Sequence, residues 1–169
     1  MIYLRKAQQK DLLEIMKIIE EARAFLATSG SDQWQNAYPA KSDIEADFAK
    51  EHGYVLLVDG KVAGYCAIIV GEEVAYTKIT DGAWTNESFD YVTIHRIALS
   101  NEFRGKSLTK YLFSNIFSLM SEKGYRDYRV DTHPVNQLMQ HIFEREGFVK
   151  RGIVQFEGER FAYQLELDK

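Results

Sequence analysis

The chain has 169 residues, of which 46 % are apolar and 13 % aromatic, and its formal net charge at pH 7 is −4. This composition excludes a globally disordered chain, and the length favours a single domain over residues 1–169 with one core. The mild acidity argues against nucleic-acid partners. One cysteine, Cys66, excludes a disulfide framework and a multi-cysteine zinc site.

Neither a targeting sequence nor a membrane segment is visible. Residues 1–6 lack the apolar stretch of a signal peptide, and the longest apolar runs, such as 67–70, are too short to cross a bilayer. We therefore expect a soluble cytoplasmic protein with no membrane partner. A single thiol is compatible with a reducing compartment.

The first half of the chain combines two helical patterns with a hairpin. Apolar residues recur at helical spacing in the first helix, and a capping-box pattern from Ser42 to Glu45 predicts the start of the second. The Asp59-Gly60 turn between two apolar runs is a strong hairpin signal. In chain order we predict a strand over 2–5, helices over 10–26 and 42–50, and strands over 54–58 and 62–70. Residues 72–90 carry no clear pattern.

The second half alternates strands and helices. Gly124 and Gly147 lie where helix C-caps are expected, and Glu157-Gly158 suits the turn of a final hairpin. We predict a strand over 91–99, a helix over 104–123, a strand over 126–132, a helix from 134 or 135 to 146, and two closing strands. The predicted order is β-α-α-β-β-β-α-β-α-β-β, which indicates a mixed α/β domain.

Three cations crowd the turn after the strand over 91–99. Arg104, Lys106 and Lys110 lie where the helix is predicted to begin, although a helix N-terminus favours anions. A negatively charged ligand would explain this, since backbone N–H groups there would donate to phosphate oxygens and Gly105 would allow close approach. Alternatively, the turn is an exposed basic helix start. The spacing matches neither the P-loop nor the dinucleotide fingerprint.

The same turn is similar to the acetyl-CoA loop of the GCN5-related N-acetyltransferase (GNAT) family, which has the pattern Gln/Arg-x-x-Gly-x-Gly/Ala. Arg104 matches the first position, whereas Ser107 and Thr109 stand where the family usually has glycine or alanine. The flanking residues 101–106 and 110–112 also match, and the predicted order of elements is that of the family. The resemblance therefore covers nearly the whole chain.

The resemblance implies an α/β fold with a mixed sheet, the GNAT-like acyl-CoA N-acyltransferase fold. Its central sheet is mostly antiparallel, with a parallel pair between the two central strands. Acetyl-CoA would be the cosubstrate, with its pantetheine arm along a strand edge and its pyrophosphate at the following turn. By this resemblance the cofactor-binding residues of these segments are Ile97, Ala98, Leu99, Arg104, Gly105, Lys106, Ser107, Leu108 and Thr109.

Residues 136–148 resemble a later GNAT motif, Asn-x-x-x-x-x-x-Tyr-Glu-Lys-x-Gly-Phe. By this resemblance Asn136 would hydrogen-bond to the pantetheine amides, although it equally suits the start of a helix. Phe143 occupies the position of the family's tyrosine general acid and has no proton to donate. We expect Phe143 to belong to the helix core and the cofactor wall. Another group, with Tyr163 as one candidate, or water would then protonate the CoA sulfur.

Acetyl transfer to an ammonium group requires that the nitrogen first loses a proton, so a base within reach would accelerate the reaction. Asp131 ends a predicted strand at a position that is acidic in several family members. Alternatively, it caps the next helix or pairs with Arg129 or Arg96. His133 precedes Pro134 near the mouth of the implied site, or it is a loop histidine without a role.

His95 is the third candidate base, because an imidazole titrates near neutral pH. Strand alternation would place it on one face with Thr93, Ile97 and Leu99, and alternatively it is a core histidine with satisfied hydrogen bonds. A backbone N–H near Leu99 would stabilise the oxyanion. No ligand-spacing motif supports a metal site, so we expect no metal.

In the GNAT family the acceptor groove is lined by the first helices and the loop between them. That loop here carries Trp34 and Tyr38, whose rings would wall an amine, and Asp32, whose carboxylate would attract it. Alternatively, the aromatic rings anchor the loop to the core. Tyr163, on the last hairpin, would close the other side of the acceptor site.

The sequence therefore predicts an acetyl-CoA-dependent N-acetyltransferase that moves an acetyl group to a primary amine by direct attack on the thioester. The acceptor would be a small molecule or a peptide, and a homodimer is compatible with the resemblance. One alternative is a catalytically weakened acyl-CoA-binding protein of the same fold. Another is an unrelated α/β domain whose basic turn binds a different phosphate ligand.

Overall fold

A computed structural model describes residues 1–168. Within them the strands are β1 (Ile2–Lys6), β2 (Gly53–Val58), β3 (Lys61–Val70), β4 (Val92–Leu99), β5 (Asp127–Thr132), β6 (Val149–Gln155) and β7 (Glu159–Glu166). The helices are α1 (Leu12–Thr28), α2 (Lys41–Ala49), α3 (Leu108–Glu122) and α4 (Gln137–Arg145). No helix in this part of the chain is both long and apolar enough to cross a bilayer.

The strands form one sheet in the order β1-β2-β3-β4-β5-β7-β6. The pairs β1–β2, β2–β3, β5–β7 and β6–β7 are antiparallel. In contrast, β4 and β5 run parallel, with Val92 opposite Tyr128 and Thr93 opposite Arg129. The predicted α/β fold, with a mostly antiparallel sheet and a parallel pair between its central strands, is confirmed.

The chain divides into two compact units, the first of which comprises Met1–Ile68 and His95–Ser118. Its core is formed where the apolar faces of α1 and α2 pack on β2, β3 and β4. The buried residues of this core cluster are Leu12, Ile15, Ile18, Ile19, Ile44, Val55, Leu57, Tyr65 and Ala98. The helical spacing of the α1 members explains why the first helix could be predicted from the sequence.

The second unit comprises Ile69–Ile94 and the chain from Leu119 onward. Its core includes Tyr76 and Tyr91. Tyr76 lies in residues 72–90, the segment that carries no clear sequence pattern, and Tyr91 directly follows that segment. That segment forms a short 3₁₀ helix, Val74–Lys78, and then pairs with β6 through reciprocal 2.8 Å hydrogen bonds between Thr80 and Ile153. Long-range contacts therefore determine the conformation of this segment.

All four predicted helix starts differ from the structure, and the first helix begins at Leu12 instead of residue 10. The third helix begins at Leu108 instead of residue 104, because Gly105 and Ser107 have φ values of +79° and +54°, which no α-helix accommodates. The fourth begins at Gln137, after the N-cap Asn136. The second begins at Lys41, so that the predicted capping residues Ser42 and Glu45 lie within the helix.

A buried ion pair joins β1 to the start of α1. The Arg5 guanidinium donates to both carboxylate oxygens of Asp11, at 2.8 and 3.0 Å, and the Gln8 N–H donates to the same carboxylate at 2.8 Å. Burial opposes ionisation of Asp11, but these hydrogen bonds outweigh burial and lower the pKa of its carboxyl. Such a group stabilises the fold fully above its unfolded pKa, and the contribution is lost as the pH falls through the folded pKa.

We therefore expect Asp11→Asn to cost more stability at pH 7 than at pH 3, which lies below the unfolded aspartate pKa of about 3.9. Urea unfolding of wild type and variant at both pH values measures the difference. Glu14→Gln, which removes only an exposed partner of Lys17, is the control and should cost little at either pH. An equal loss at both pH values for Asp11→Asn would contradict the prediction.

Candidate active site

The connection between β4 and α3 carries Arg104 and Lys106, and Lys110 follows in the first turn of α3. Phe103, which is buried, anchors this connection, and the Asn101 N–H donates to the Glu21 carboxylate of α1 at 2.9 Å. The Arg104 guanidinium lies 4.3 Å above the ring of Phe25 on α1, and its Nε donates to Asn101 Oδ1 at 2.6 Å. Side-chain contacts within the first unit thus hold the connection in place.

The start of α3 has the features of an anion-binding turn. The first N–H groups of a helix have no carbonyl of the same helix to donate to, and the helix dipole adds positive potential there. Lys106 and Lys110 are exposed on either side of Leu108, where α3 begins. A Cβ added at Gly105 would meet nothing within 4 Å, so this side of the turn is open. The arrangement suits a phosphate or pyrophosphate group.

Ser107 adopts a left-handed conformation, with φ +54°, at a position where the GNAT pattern has glycine. A left-handed backbone is strained for any L-residue with a Cβ and unstrained for glycine. Thr109 has no such conformation, since it lies inside α3. The two departures from the family pattern therefore differ in their physical consequences.

We expect Ser107→Gly to raise the free energy of unfolding by about 0.5–1 kcal/mol, because it relieves left-handed strain while adding some unfolded-chain entropy. Thr109→Gly should instead lower it by about 0.3–0.5 kcal/mol, since glycine is the poorer helix former. Chemical unfolding of both variants tests the contrast. If Ser107→Gly lowers the free energy of unfolding, whether Thr109→Gly raises or lowers it, the backbone at Ser107 is not strained.

The C-terminal half of β4 is held by a buried ion pair. Arg96 has a φ of +54°, which interrupts the regular alternation expected along this strand. Its guanidinium donates to both carboxylate oxygens of Asp47 on α2, at 2.9 and 2.6 Å, and to the Tyr38 hydroxyl at 2.8 Å. Tyr65 on β3 also donates to Asp47, at 2.5 Å. Burial disfavours the charge of Arg96, but its hydrogen bonds with Asp47 raise the pKa of the guanidinium.

The strand edge predicted to meet the pantetheine arm lies just beyond this ion pair. Ile97 and Leu99 are half-buried, whereas Ala98 belongs to the core of the first unit. On β3, a Cβ added at Gly64 would lie 2.5 Å from Leu99 Cδ2 and 3.2 Å from the Ala98 carbonyl oxygen. The missing side chain of Gly64 therefore allows β4 to pack closely on β3 at this point.

The loop between α1 and α2 is fastened by two arginines. Arg23 on α1 donates to the Trp34 and Pro39 carbonyls at 2.9 and 2.8 Å, and Arg96 donates to Tyr38. Trp34, with φ +67°, packs against the core of the first unit, while Asp32 is exposed. The aromatic side chains thus do anchor the loop, and their contact with an amine stays a prediction.

Asp131 and His133 lie at and beyond the end of β5, in the second unit. The Tyr76 hydroxyl donates to Asp131 Oδ2 at 2.5 Å, whereas the N-cap of α4 is Asn136, whose side chain accepts from the Met139 N–H at 3.1 Å. His133 Nδ1 accepts from the Val135 N–H at 3.1 Å, which orients its ring.

The two arginines and the helix cap that were the alternatives for Asp131 have other partners in the structure. Arg129 pairs with Asp127 and stacks between the rings of Trp84 and Tyr91, and Arg96 pairs with Asp47. Asn136, not Asp131, caps α4. Tyr76 is the partner that sequence reasoning missed, because it is 55 residues away and lies in the segment without a clear pattern.

His95 is a buried member of β4, with 8 % of its surface exposed. Phe143 of α4 is also buried, and its ring centroid lies 5.4 Å from that of Tyr163 on β7 and 5.5 Å from that of Phe148. Burial raises the pKa of the Tyr163 phenol, with a smaller contribution from Glu144. Tyr163 therefore stays protonated near neutral pH, beside the position where the family has its tyrosine acid.

A protein-family model described as the acetyltransferase (GNAT) family matches residues 16–148. The chain belongs to the GNAT family. This match covers both the basic turn at residues 104–109 and residues 136–148. A GNAT acetyltransferase from Streptococcus agalactiae has a solved structure with a TM-score of 0.92 and 39 % identity, over 99 % of this chain and 96 % of that one.

One curated relative supports the assignment, and a further solved structure shares the fold. A Bacillus subtilis protein that carries the name of a ribosomal protein bS18-alanine N-acetyltransferase is 30 % identical over 160 residues, which are 92 % of this GNAT chain and 89 % of that protein. The PaiA N-acetyltransferase of Thermoplasma acidophilum, solved in complex with coenzyme A, is 16 % identical with a TM-score of 0.72, over 98 % of this chain and 99 % of that one. At that identity the second likeness concerns the fold. This chain is thus an acetyltransferase of the GNAT family.

Within residues 1–168, no group of three or more His, Cys, Asp or Glu side chains is placed to hold a metal ion. The three candidate bases belong to different units, His95 to the first and Asp131 and His133 to the second.

Proposed function

We propose that residues 1–169 act as one N-acetyltransferase domain that transfers the acetyl group of acetyl-CoA to a primary amine by direct attack. The start of α3 carries this proposal, because its open turn, backbone N–H groups and flanking cations suit the pyrophosphate of CoA. Arg104, Gly105, Lys106, Ser107, Leu108 and Thr109 would hold that group. The coenzyme supplies a thioester, which is an activated acyl donor.

The strand edge and α4 would hold the rest of the cosubstrate. Backbone groups of Ile97, Ala98 and Leu99 would pair with the pantetheine arm, and the Leu99 N–H would donate to the carbonyl oxygen as it gains charge. Asn136 would contribute its amide N–H, since its side-chain oxygen already accepts from Met139. Phe143 would wall the site with its buried ring.

We assign the role of general base to Asp131. Its carboxylate is half-buried, and a short hydrogen bond orients it. A base needs a defined orientation to receive a proton from a bound ammonium group. His95 and His133 are the other candidate bases. In this scheme Asp131 first takes a proton from the ammonium group, the neutral nitrogen then bonds to the acyl carbon, and the carbon–sulfur bond breaks as the nitrogen loses its second proton to water or Tyr163. Water or Tyr163 returns a proton to the sulfur.

The acceptor would be a small-molecule or peptide amine, held near Asp32, Trp34 and Tyr38, with Tyr163 as a further candidate contact. The name of the Bacillus subtilis relative makes a peptide that begins with alanine the first acceptor to test. We place the reaction in the cytoplasm. Light scattering of the purified chain would establish whether it works as a homodimer.

Calorimetric titration with acetyl-CoA, followed by a thiol-release assay across an amine panel, tests the proposal. Cys66 does not interfere, because it is buried and burial raises the pKa of its thiol. We expect binding and turnover with at least one amine among alanine-initiated peptides, lysine peptides, polyamines and aminoglycosides. No binding at millimolar acetyl-CoA would refute the function. Binding without turnover on any amine would indicate an acyl-CoA-binding protein instead.

A further inference from the structure

The 3₁₀ helix Val74–Lys78 brings a phenol to the proposed base. Tyr76 is completely buried, and its hydroxyl donates to Asp131 Oδ2 across the second unit. A phenol is buried without cost only when its hydroxyl finds a hydrogen-bond partner, so this contact fixes both side chains. The rigidity of the contact therefore depends on how firmly the 3₁₀ helix is held.

Contacts on several sides hold the Tyr76 segment. The Trp84 indole N–H donates to the Tyr76 carbonyl at 2.8 Å, and its ring lies 5.4 Å from the Tyr76 ring. At the start of the segment, the Glu73 N–H donates to the Tyr91 hydroxyl at 2.7 Å. The Tyr91 ring stacks on Tyr76 at 6.5 Å. The phenol thus projects from a packed aromatic cluster towards the carboxylate.

Tyr76 is suited to orient a carboxylate and unsuited to donate its proton. Burial, followed by the charge of Asp131 and the hydrogen bond to it, raises the pKa of Tyr76 well above its ordinary value. The phenol therefore stays protonated over the working pH range and always presents its O–H to the carboxylate. A hydrogen bond to the ionised form of a carboxyl group favours that form and limits its rotation.

We propose that Tyr76 is a positioning residue that holds Asp131 ionised and aimed for proton abstraction. This inference rests on the proposed function, since it assigns Tyr76 a role only through the base. It makes the connection between β3 and β4 part of the catalytic apparatus. Other ionisable groups that interact with this cluster include Glu72, Glu73, Tyr91 and Arg129, whereas Ala162, opposite Asp131 on β7, is apolar.

Tyr76→Phe, with Tyr91→Phe as its matched control, tests the proposal. Each substitution deletes one buried phenol hydroxyl from the same cluster and keeps the ring, but only the Tyr76 hydroxyl touches Asp131. The titration of Asp131 is followed by NMR of carboxyl-¹³C-labelled aspartate, with the resonance assigned by its loss in Asp131→Asn. We expect Tyr76→Phe to raise the midpoint by about one pH unit, and Tyr91→Phe, which loosens the segment but keeps the Tyr76 hydroxyl, to shift it by much less.

Kinetics with the best amine of the panel give the second readout. Tyr76→Phe should lower kcat about tenfold and move the acid limb of kcat/KM to higher pH, with an unchanged KM for acetyl-CoA. In the Asp131→Asn background the same substitution should have no further effect on kcat. Tyr91→Phe should lower the melting temperature and move the acid limb much less than Tyr76→Phe does.

The possible failures are distinguishable. An unchanged Asp131 midpoint in Tyr76→Phe, or an equal change in Tyr91→Phe, overturns the inference while leaving the proposed function intact. If wild-type protein does not bind acetyl-CoA, the proposed function fails, and the role of Tyr76 in transfer fails with it. If Asp131→Asn retains full kcat, Asp131 is not the base and Tyr76 has no catalytic role.

Discussion

Replacing Asp131 with asparagine is expected to lower kcat for acetyl transfer by about 10²- to 10⁴-fold, the usual contribution of a positioned general base. Asparagine has nearly the same shape, so it can still accept a hydrogen bond from Tyr76 Oη, but it cannot take up the ammonium proton. The affinity for acetyl-CoA should not change, because the residues proposed to hold its pyrophosphate lie on the β4–α3 connection and in the first turn of α3. Thiol release gives kcat, and calorimetry gives the affinity.

His95→Gln and His133→Gln are the controls for this prediction. Both remove a titratable imidazole, and His133→Gln also removes the acceptor of the Val135 N–H. We expect a loss of less than tenfold from each at pH 8, where an amine acceptor is partly neutral. A loss confined to His95→Gln, with full activity of Asp131→Asn, would transfer the role of base to His95. Raising the pH should restore part of the activity of Asp131→Asn, since more of the amine is then already deprotonated.

Most elements of the fold could be predicted because their signals are local. The helical spacing of Ile15, Ile18 and Ile19 predicts α1, and the Asp59-Gly60 turn predicts the hairpin of β2 and β3. Helix starts were less predictable, because they depend on backbone conformation. Nothing about Ser107 as a residue type indicates a left-handed φ, so the sequence pattern places the start of α3 four residues early.

The candidate site was predicted in part. Motif spacing identifies the turn at Arg104 and the N-terminal region of α4, because the residues that form each are consecutive in the chain. The partners that orient charged side chains could not be predicted, since Tyr76 and Asp131 are 55 residues apart and Asp47 and Arg96 are 49 apart. Such pairs depend on which strands become neighbours, and one sequence contains no direct signal for that.

The buried pair of Asp47 and Arg96 is expected to be the most costly single interaction to break. Asp47→Ala leaves the Arg96 guanidinium, whose side chain is 13 % exposed, without its carboxylate, and removes the acceptor of the Tyr65 hydroxyl. Removing one partner of a buried ion pair typically costs about 3–5 kcal/mol. Urea unfolding at pH 7 measures this loss. Asp43→Ala on the same helix, which removes only an acceptor of the Ala40 N–H, should cost about 1 kcal/mol.

Replacing both partners separates the stability of the fold from the position of the acceptor loop. The double variant Asp47→Leu with Arg96→Met should recover most of the stability lost in Asp47→Ala, because an apolar pair carries no uncompensated buried charge. It still lacks the hydrogen bond from Arg96 to the Tyr38 hydroxyl. If Tyr38 contacts the acceptor, KM for the amine should therefore rise in this stable double variant while the affinity for acetyl-CoA is unchanged. An unchanged KM would show that Tyr38 anchors the loop without contributing to acceptor binding. If the double variant is as unstable as Asp47→Ala, the ion pair itself stabilises the fold. The loss in Asp47→Ala would then not come from leaving the Arg96 guanidinium without its carboxylate.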